Sequence, residues 1–221
     1  MPSVWAVVVA GGSGERFGRM KQFALLGGRP VVARAVAACR SVARGVVLVV
    51  PKGATDEDYG ADAVVVGGAT RSASVREGLA AVPGDADVVV VHDAVRPLAP
   101  PALFAAVLAA LADGEAAGAV PALPVADTLK RVAPLLTERA GPPWPVVQAT
   151  VDRGDLVAVQ TPQAFVAEVL RRAHAGGPEA TDDAALLEAL GATVRVVPGD
   201  PRNLKLTTPA DLARAEQLLG P

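Results

Sequence analysis

Hydrophobic residues along this chain gather in short continuous runs, and the stretches between them carry apolar residues at helical spacing. The runs are Val4–Val9, 46–50, 64–66, 88–91, 119–122, Val157–Val159 and 194–197. Unbroken apolar runs of this kind suit strands of a parallel sheet that is covered on both faces. Residues 31–42, 72–81 and 101–112 read as helices, and Pro101 suits a first turn, where its missing N–H costs little. Later helices are expected at 165–175, 182–190 and 209–219, the last capped by Thr208. Strand and helix alternate, so the predicted fold is α/β: a Rossmann-like three-layer α/β/α sandwich with a mostly parallel sheet.

Residues 123–153 break this rhythm. Pro124, Pro134, Pro142, Pro143 and Pro145 forbid a helix there, and two β-like pieces, 128–132 and 146–151, flank a Pro/Gly-rich tip. A projecting two-stranded β-arm fits, with a long surface loop as the other reading. Because an isolated hairpin is marginal in water, the arm is expected to pack on a partner subunit and make a homodimer. The expectation is one domain, 1–221, with 123–153 as an excursion for dimerisation.

Composition narrows the function. Half of the residues are hydrophobic, enough for a sizeable core, and the formal net charge is only -2. A near-neutral chain with few aromatics has no basic stripe for nucleic acid, although a basic pocket for one nucleotide remains open. The single cysteine, Cys39, lies within a helical pattern and reads as core packing. The two histidines, His92 and His174, are too few for a multi-His metal site. No charged leader and no membrane-length apolar run is seen, so a cytoplasmic location without membrane contact is expected. Arginine greatly outnumbers lysine, so it is notable that Lys21, Lys130 and Lys205 all fall in motifs.

The first strand leads into Ala10-Gly11-Gly12-Ser13-Gly14-Glu15-Arg16-Phe17-Gly18-Arg19-Met20-Lys21. A glycine-rich turn at a strand end can aim backbone N–H groups at phosphate oxygens, and Arg16 and Lys21 can neutralise them. The spacing excludes a dinucleotide fingerprint, because the sixth position from Gly12 is Phe17. It also excludes a P-loop, because Lys21 follows Met20. A glycine turn with no ligand is the plainer reading. A second motif, His92-Asp93-Ala94-Val95-Arg96-Pro97, places an acid and a base just past a strand. There Asp93 can hold Mg²⁺ or a ribose hydroxyl and Arg96 can fork onto a phosphate, with a structural ion pair as the alternative. A third, Gly67-Gly68-Ala69-Thr70-Arg71-Ser72-Ala73-Ser74, opens a helix and can read a base edge through backbone groups and the Ser74 hydroxyl, or can be an ordinary capped start. All three motifs follow strands at one sheet edge, where ligands of such folds bind.

Together these segments, with 124–130, Thr150-Val151-Asp152-Arg153, Thr161-Pro162-Gln163, 180–183 and Asn203-Leu204-Lys205-Leu206-Thr207, resemble the 2-C-methyl-D-erythritol 4-phosphate cytidylyltransferases of the non-mevalonate isoprenoid pathway. The resemblance runs nearly end to end. It implies transfer of CMP from CTP to methylerythritol phosphate with release of pyrophosphate, supported by Mg²⁺. Gly12, Gly14, Arg16 and Lys21 would bind the CTP phosphates; Gly68 and Ser74 would recognise cytosine, with Ala10 and Gly11 beside the nucleoside. Asp93 would lie near metal, ribose and substrate. Arg96, Thr161, Thr181 and Lys205 would hold methylerythritol phosphate, and Thr128 and Arg153 on the arm would complete the neighbouring subunit's site. Arg16, Lys21 and Lys205 would carry the catalytic charge, and Asp93 the metal. Two positions depart from the family pattern: Ala69 and Arg202 stand where acids are usual, with Asp200 as a substitute metal contact. Another cytidylyltransferase, acting on ribitol 5-phosphate or a further polyol phosphate, and a non-catalytic nucleotide-binding regulator are the alternatives.

Overall fold

A computed structural model describes residues 2–11, 20–133 and 145–220. The expectations placed on Gly12, Gly14, Arg16 and the tip of the arm lie outside the described residues. In chain order the first elements are β1 (Val4–Val9), a 3₁₀ turn (Lys21–Phe23), β2 (Leu25–Leu26), β3 (Arg29–Pro30), α1 (Val31–Arg40), β4 (Gly45–Val50), β5 (Ala63–Val66) and α2 (Arg71–Ala81). There follow β6 (Val88–Asp93), α3 (Pro101–Ala109), β7 (Gly118–Pro124), β8 (Leu129–Val132), β9 (Val147–Val151), β10 (Val157–Val159) and β11 (Gln163–Val166). The chain ends with α4 (Ala167–His174), α5 (Asp183–Ala189), β12 (Val194–Pro198) and α6 (Pro209–Leu219).

The main sheet runs β10-β7-β11-β6-β1-β4-β5, with β12 added to β7. Pairs β1–β4, β1–β6, β4–β5 and β7–β12 are parallel, whereas β10 and β11 run antiparallel to their neighbours. The period-2 alternation of each central strand feeds two cores. Ala6, Val8, Leu48 and Val90 pack with α1 and α3 through Val36, Cys39 and Phe104. Val7, Val49 and Val91 pack with α2, α4 and α5 through Val75, Leu170 and Leu187. Both faces are therefore covered by helices, and this is why these strands read as unbroken apolar runs. Cys39 is fully buried in the first core, and that burial pushes its thiol pKa up.

Topology places the site. From β1 the sheet grows through β4 to β5 on one side, and the chain then returns through α2 to β6 on the other side of β1. The carboxyl ends of β1 and β6 thus flank the point where the winding reverses, the usual ligand position in open α/β sheets.

Three expectations need correction. Phe165 and Val166 do not begin a helix: they belong to β11, wedged between β6 and β7, and α4 starts at Ala167. The helical spacing of α4 happens to extend back onto two strand residues. Val157–Val159 is a strand, but an exposed antiparallel one at the end of β7, not a covered parallel one. The helix expected to run to 112 stops at Ala109. The arm has the expected form, with β8 and β9 pairing antiparallel in a separate two-stranded sheet.

A small third core joins Leu26, Val31, Leu206 and Ala215, and so clamps the β2–β3 hairpin, α6 and the segment bearing Lys205 together. At the start of α6, Thr208 and Asp211 form a reciprocal capping box. Burial works to raise the Asp211 pKa, but hydrogen bonds from Thr207 and Thr208 outweigh it and lower it to about 2. Thr208→Ala is expected to cost about 1 kcal/mol of stability, read from urea unfolding at neutral pH.

Candidate active site

A crevice of about 480 Å³ opens at the carboxyl ends of β1 and β6. Val9, Ala10 and Gly11 form one wall as the chain leaves β1. The 3₁₀ turn supplies Lys21 and Gln22. Gln22 is buried, and its side-chain amide donates to the Ala10 carbonyl at 2.8 Å, which ties the Lys21 turn to the end of β1.

The opposite wall comes from the turn into α2, with Gly68, Arg71 and Ser74 facing the crevice. Thr70 caps this helix, its side chain accepting from the Ala73 N–H. The Ser74 hydroxyl donates to the Thr70 carbonyl at 2.8 Å, so its oxygen keeps acceptor capacity. Two glycines make room for that hydroxyl: a Cβ at Gly67 would stand 2.7 Å from Ser74 Oγ, and one at Gly11 3.1 Å from it.

Asp93 closes the crevice. Alternation along β6 sends its side chain to the face of α2 and α5, and sends the preceding His92 to the opposite face, where it packs edge-on against Phe104. The acid and base adjacent in sequence therefore do not share a site. Lys205 Nζ lies 2.7 Å from Asp93 Oδ2, and Arg71 Nε lies 3.6 Å from Oδ1. Burial works to raise the Asp93 pKa, but the Lys205 and Arg71 cations outweigh it and hold the carboxyl at about 2. Asp93 is therefore ionised at neutral pH.

Behind it lies a hydrogen-bonded layer. Thr161 Oγ1 accepts from the Asp93 N–H at 3.0 Å and contacts His92 Nδ1 at 3.1 Å. Asn203 is fully buried; its amide donates to the Thr161 carbonyl, and its own backbone carbonyl accepts from Arg96 Nη1 at 2.7 Å. These bonds fix the backbone two residues before Lys205 against the end of β6.

Ala10, Gly11, Lys21, Gly68, Ser74, Asp93 and Lys205 thus line one crevice. Thr161 lies directly behind Asp93. Arg96 is nearly buried, does not line the crevice and is engaged by Asn203. Thr181 is exposed, just ahead of the Asp182 cap of α5. Thr128 and Arg153 border a separate pocket of about 400 Å³ on the arm. Asp200 accepts from the Arg202 N–H at 2.7 Å and does not line the crevice. Sequence reasoning passes over Arg71, Gln22 and Asp183. The one signal for Arg71 is a cation in the first turn of a helix, a position whose dipole disfavours positive charge.

Asp93 is the one carboxylate on the described crevice wall, and the described residues hold no cluster of three or more metal-ligating side chains. Mg²⁺ at phosphate sites is commonly held by one or two carboxylates together with substrate phosphates and water, so an ionised Asp93 fits that role.

Cations around one ionised carboxylate, with Gly11, Gly68 and Ser74 beside them at the carboxyl edge of an α/β sheet, make this crevice the candidate active site of a fold of the nucleotidyltransferase class. The sequence model of the family IspD, 2-C-methyl-D-erythritol 4-phosphate cytidylyltransferase, matches residues 4–221. The chain belongs to this family. It is 46% identical to the 2-C-methyl-D-erythritol 4-phosphate cytidylyltransferase of Nocardia farcinica, over 98% of this chain and 94% of that protein. It is 47% identical to a bifunctional enzyme IspD/IspF of Clavibacter michiganensis, over 99% of this chain but only 55% of that longer protein. The chain thus spans about half the length of such bifunctional relatives. The crystal structure of 2-C-methyl-D-erythritol 4-phosphate cytidylyltransferase from Thermus thermophilus superposes with a TM-score of 0.79 at 38% identity, covering 96% of this chain and 97% of that one.

Proposed function

We propose that this protein transfers CMP from CTP to 2-C-methyl-D-erythritol 4-phosphate. The products are 4-diphosphocytidyl-2-C-methyl-D-erythritol and pyrophosphate. The observation that carries this reading is the convergence of Lys21, Arg71 and Lys205 with Asp93 and the Ser74 recess in one crevice of an IspD-family chain.

The acceptor phosphate is already an anionic nucleophile at neutral pH, so the site needs no strong general base, in keeping with the burial of His92. An acceptor oxygen attacks the α-phosphorus in line, the bond to the β-phosphate oxygen breaks, and pyrophosphate leaves with the electron pair. The barrier is repulsion between anions, and crowding of charge on the non-bridging oxygens. Lys21 and Lys205, with Arg16 by family resemblance, would offset that charge while the walls hold both reactants in line. Asp93 with phosphate oxygens would hold Mg²⁺, which when bound adds further charge neutralisation. Ser74, whose proton is engaged by Thr70, offers an acceptor oxygen suited to the exocyclic amine of cytosine. By family resemblance Thr181 would hold the acceptor, while Arg96 and Thr161 would act from behind the crevice, through Asn203 and Asp93. The exposed apolar residues Val132 and Val147 on the arm suit packing on a second copy, where Thr128 and Arg153 would complete the neighbouring site.

Pyrophosphate release measured with Mg²⁺, CTP and methylerythritol phosphate tests this. Release is expected only with that pair. Release with ribitol 5-phosphate instead would reassign the acceptor, and CTP binding without release under any pairing would indicate a regulator.

A further inference from the structure

Three helix ends meet behind the crevice: the start of α2 at Arg71, the start of α5 at Asp183 and the end of α4 at His174. Arg71 lines the crevice and reaches Asp93, yet it occupies the first turn of α2, where the helix dipole opposes a cation and that turn has no acidic residue of its own. Its Nη1 donates to Asp183 Oδ2 at 2.8 Å. Asp183 is fully buried, and its other oxygen accepts from His174 Nε2 at 3.0 Å, a histidine itself almost fully buried. A carboxylate gripped from both sides has little freedom to turn, so it presents one fixed oxygen to the guanidinium. Neither Asp183 nor His174 lines the crevice.

From this geometry we infer that Asp183 is a positioning residue for the transfer reaction: braced by His174, it holds the Arg71 guanidinium against Asp93 on the crevice wall. Arg71 is then a third described cation facing the triphosphate, alongside Lys21 and Lys205, and the one whose direction is set from outside the crevice. The inference rests on the functional reading above. Without Asp183, the guanidinium keeps its charge but loses the contact that directs it, so substrate binding should suffer less than turnover.

A double-mutant cycle tests this, using Asp183→Asn and Arg71→Ala singly and together, with kcat and KM for CTP and methylerythritol phosphate and the melting temperature of each protein. Asp183→Asn is expected to lower kcat about tenfold or more in the Arg71 background, as befits loss of a charged hydrogen bond, and to change kcat little when Arg71 is already alanine. Equal losses in both backgrounds would mean that Asp183 serves folding alone, and would overturn the inference. Asp183→Glu, which keeps the charge, should recover part of the loss; if Asp183→Asn does not yield folded protein, this variant is placed in the cycle instead, with the same two outcomes. If the wild-type protein releases no pyrophosphate, the functional reading fails, and the same cycle is run on CTP affinity by calorimetry. Non-additive affinities would then sustain the coupling of Asp183 to Arg71, and additive ones would overturn it.

Discussion

Lys205→Ala is expected to lower kcat for CMP transfer by about 10²- to 10³-fold, the usual cost of removing one preorganised charge from a transition state. The fold should survive. The Lys205 side chain is 44% exposed, and the neighbouring Leu206 stays anchored in the third core. Asp93 keeps Arg71 as a partner, so its charge is not stranded. The loss should therefore appear in turnover, with a melting temperature close to wild type. Lys205→Arg should recover only part of it: the ammonium is a compact point charge 2.7 Å from Asp93, and a planar guanidinium cannot occupy that position with the same reach. Near-wild-type turnover in Lys205→Ala would remove this residue from the chemistry and leave it as a surface partner of Asp93.

The fold is legible in the sequence because its central strands are buried on both faces. Val46–Val50 cannot be mistaken for an amphipathic strand, since alternate residues feed α1 on one side and α2 on the other. The same logic fails where burial and pairing part company. Val157–Val159 is as apolar as a central strand, yet all three residues are exposed on β10, the end strand of the sheet beside β7. Phe165 and Val166 carry spacing that continues into α4, and only their pairing with Val89 and Val88 makes them a strand. Such long-range hydrogen bonds leave no local mark.

The candidate site divides in the same way. Residues on the glycine turns and strand ends are readable, because backbone approach and cationic charge demand particular residue types at particular spacings. Arg71 and Asp183 are not, because their meaning arises from contact between residues 112 apart in the chain. His92 and Asp93 read as an acid and a base at one site, and the structure separates them. One step along a strand reverses the face, so neighbours in sequence are divided by the sheet itself.

Between pH 6.5 and about 4 the protein is expected to lose about 3 kcal/mol of folding free energy through His92 alone, because that reversal of face leaves its ring in a dry core. His92 is fully buried, and its Nε2 lies 3.2 Å from the Arg96 carbonyl. A carbonyl can only accept, so Nε2 carries the proton. Thr161 Oγ1 accepts from the Asp93 N–H, which leaves its own proton for His92 Nδ1. The neutral imidazole is thus satisfied on both nitrogens, whereas the charged form would set two donors against each other. Burial accordingly lowers the His92 pKa to about 4, with Asp93 pulling weakly the other way. In the unfolded chain the ring binds its proton near pH 6.5. Below that value the unfolded state holds one proton more than the folded state, so stability is complete above pH 6.5 and falls by about 1.4 kcal/mol per unit until the folded ring also titrates. Urea unfolding at intervals from pH 7.5 to 4.5 would trace this slope. In His92→Gln the side-chain amide can still donate to the Arg96 carbonyl but has nothing to titrate, so the variant should be less stable at neutral pH and should lack the slope. Parallel curves for the two proteins would show that the buried ring is not what acid attacks; convergence on acidification would show that the same bonds that seat Asp93 and Thr161 at the crevice depend on His92 staying neutral.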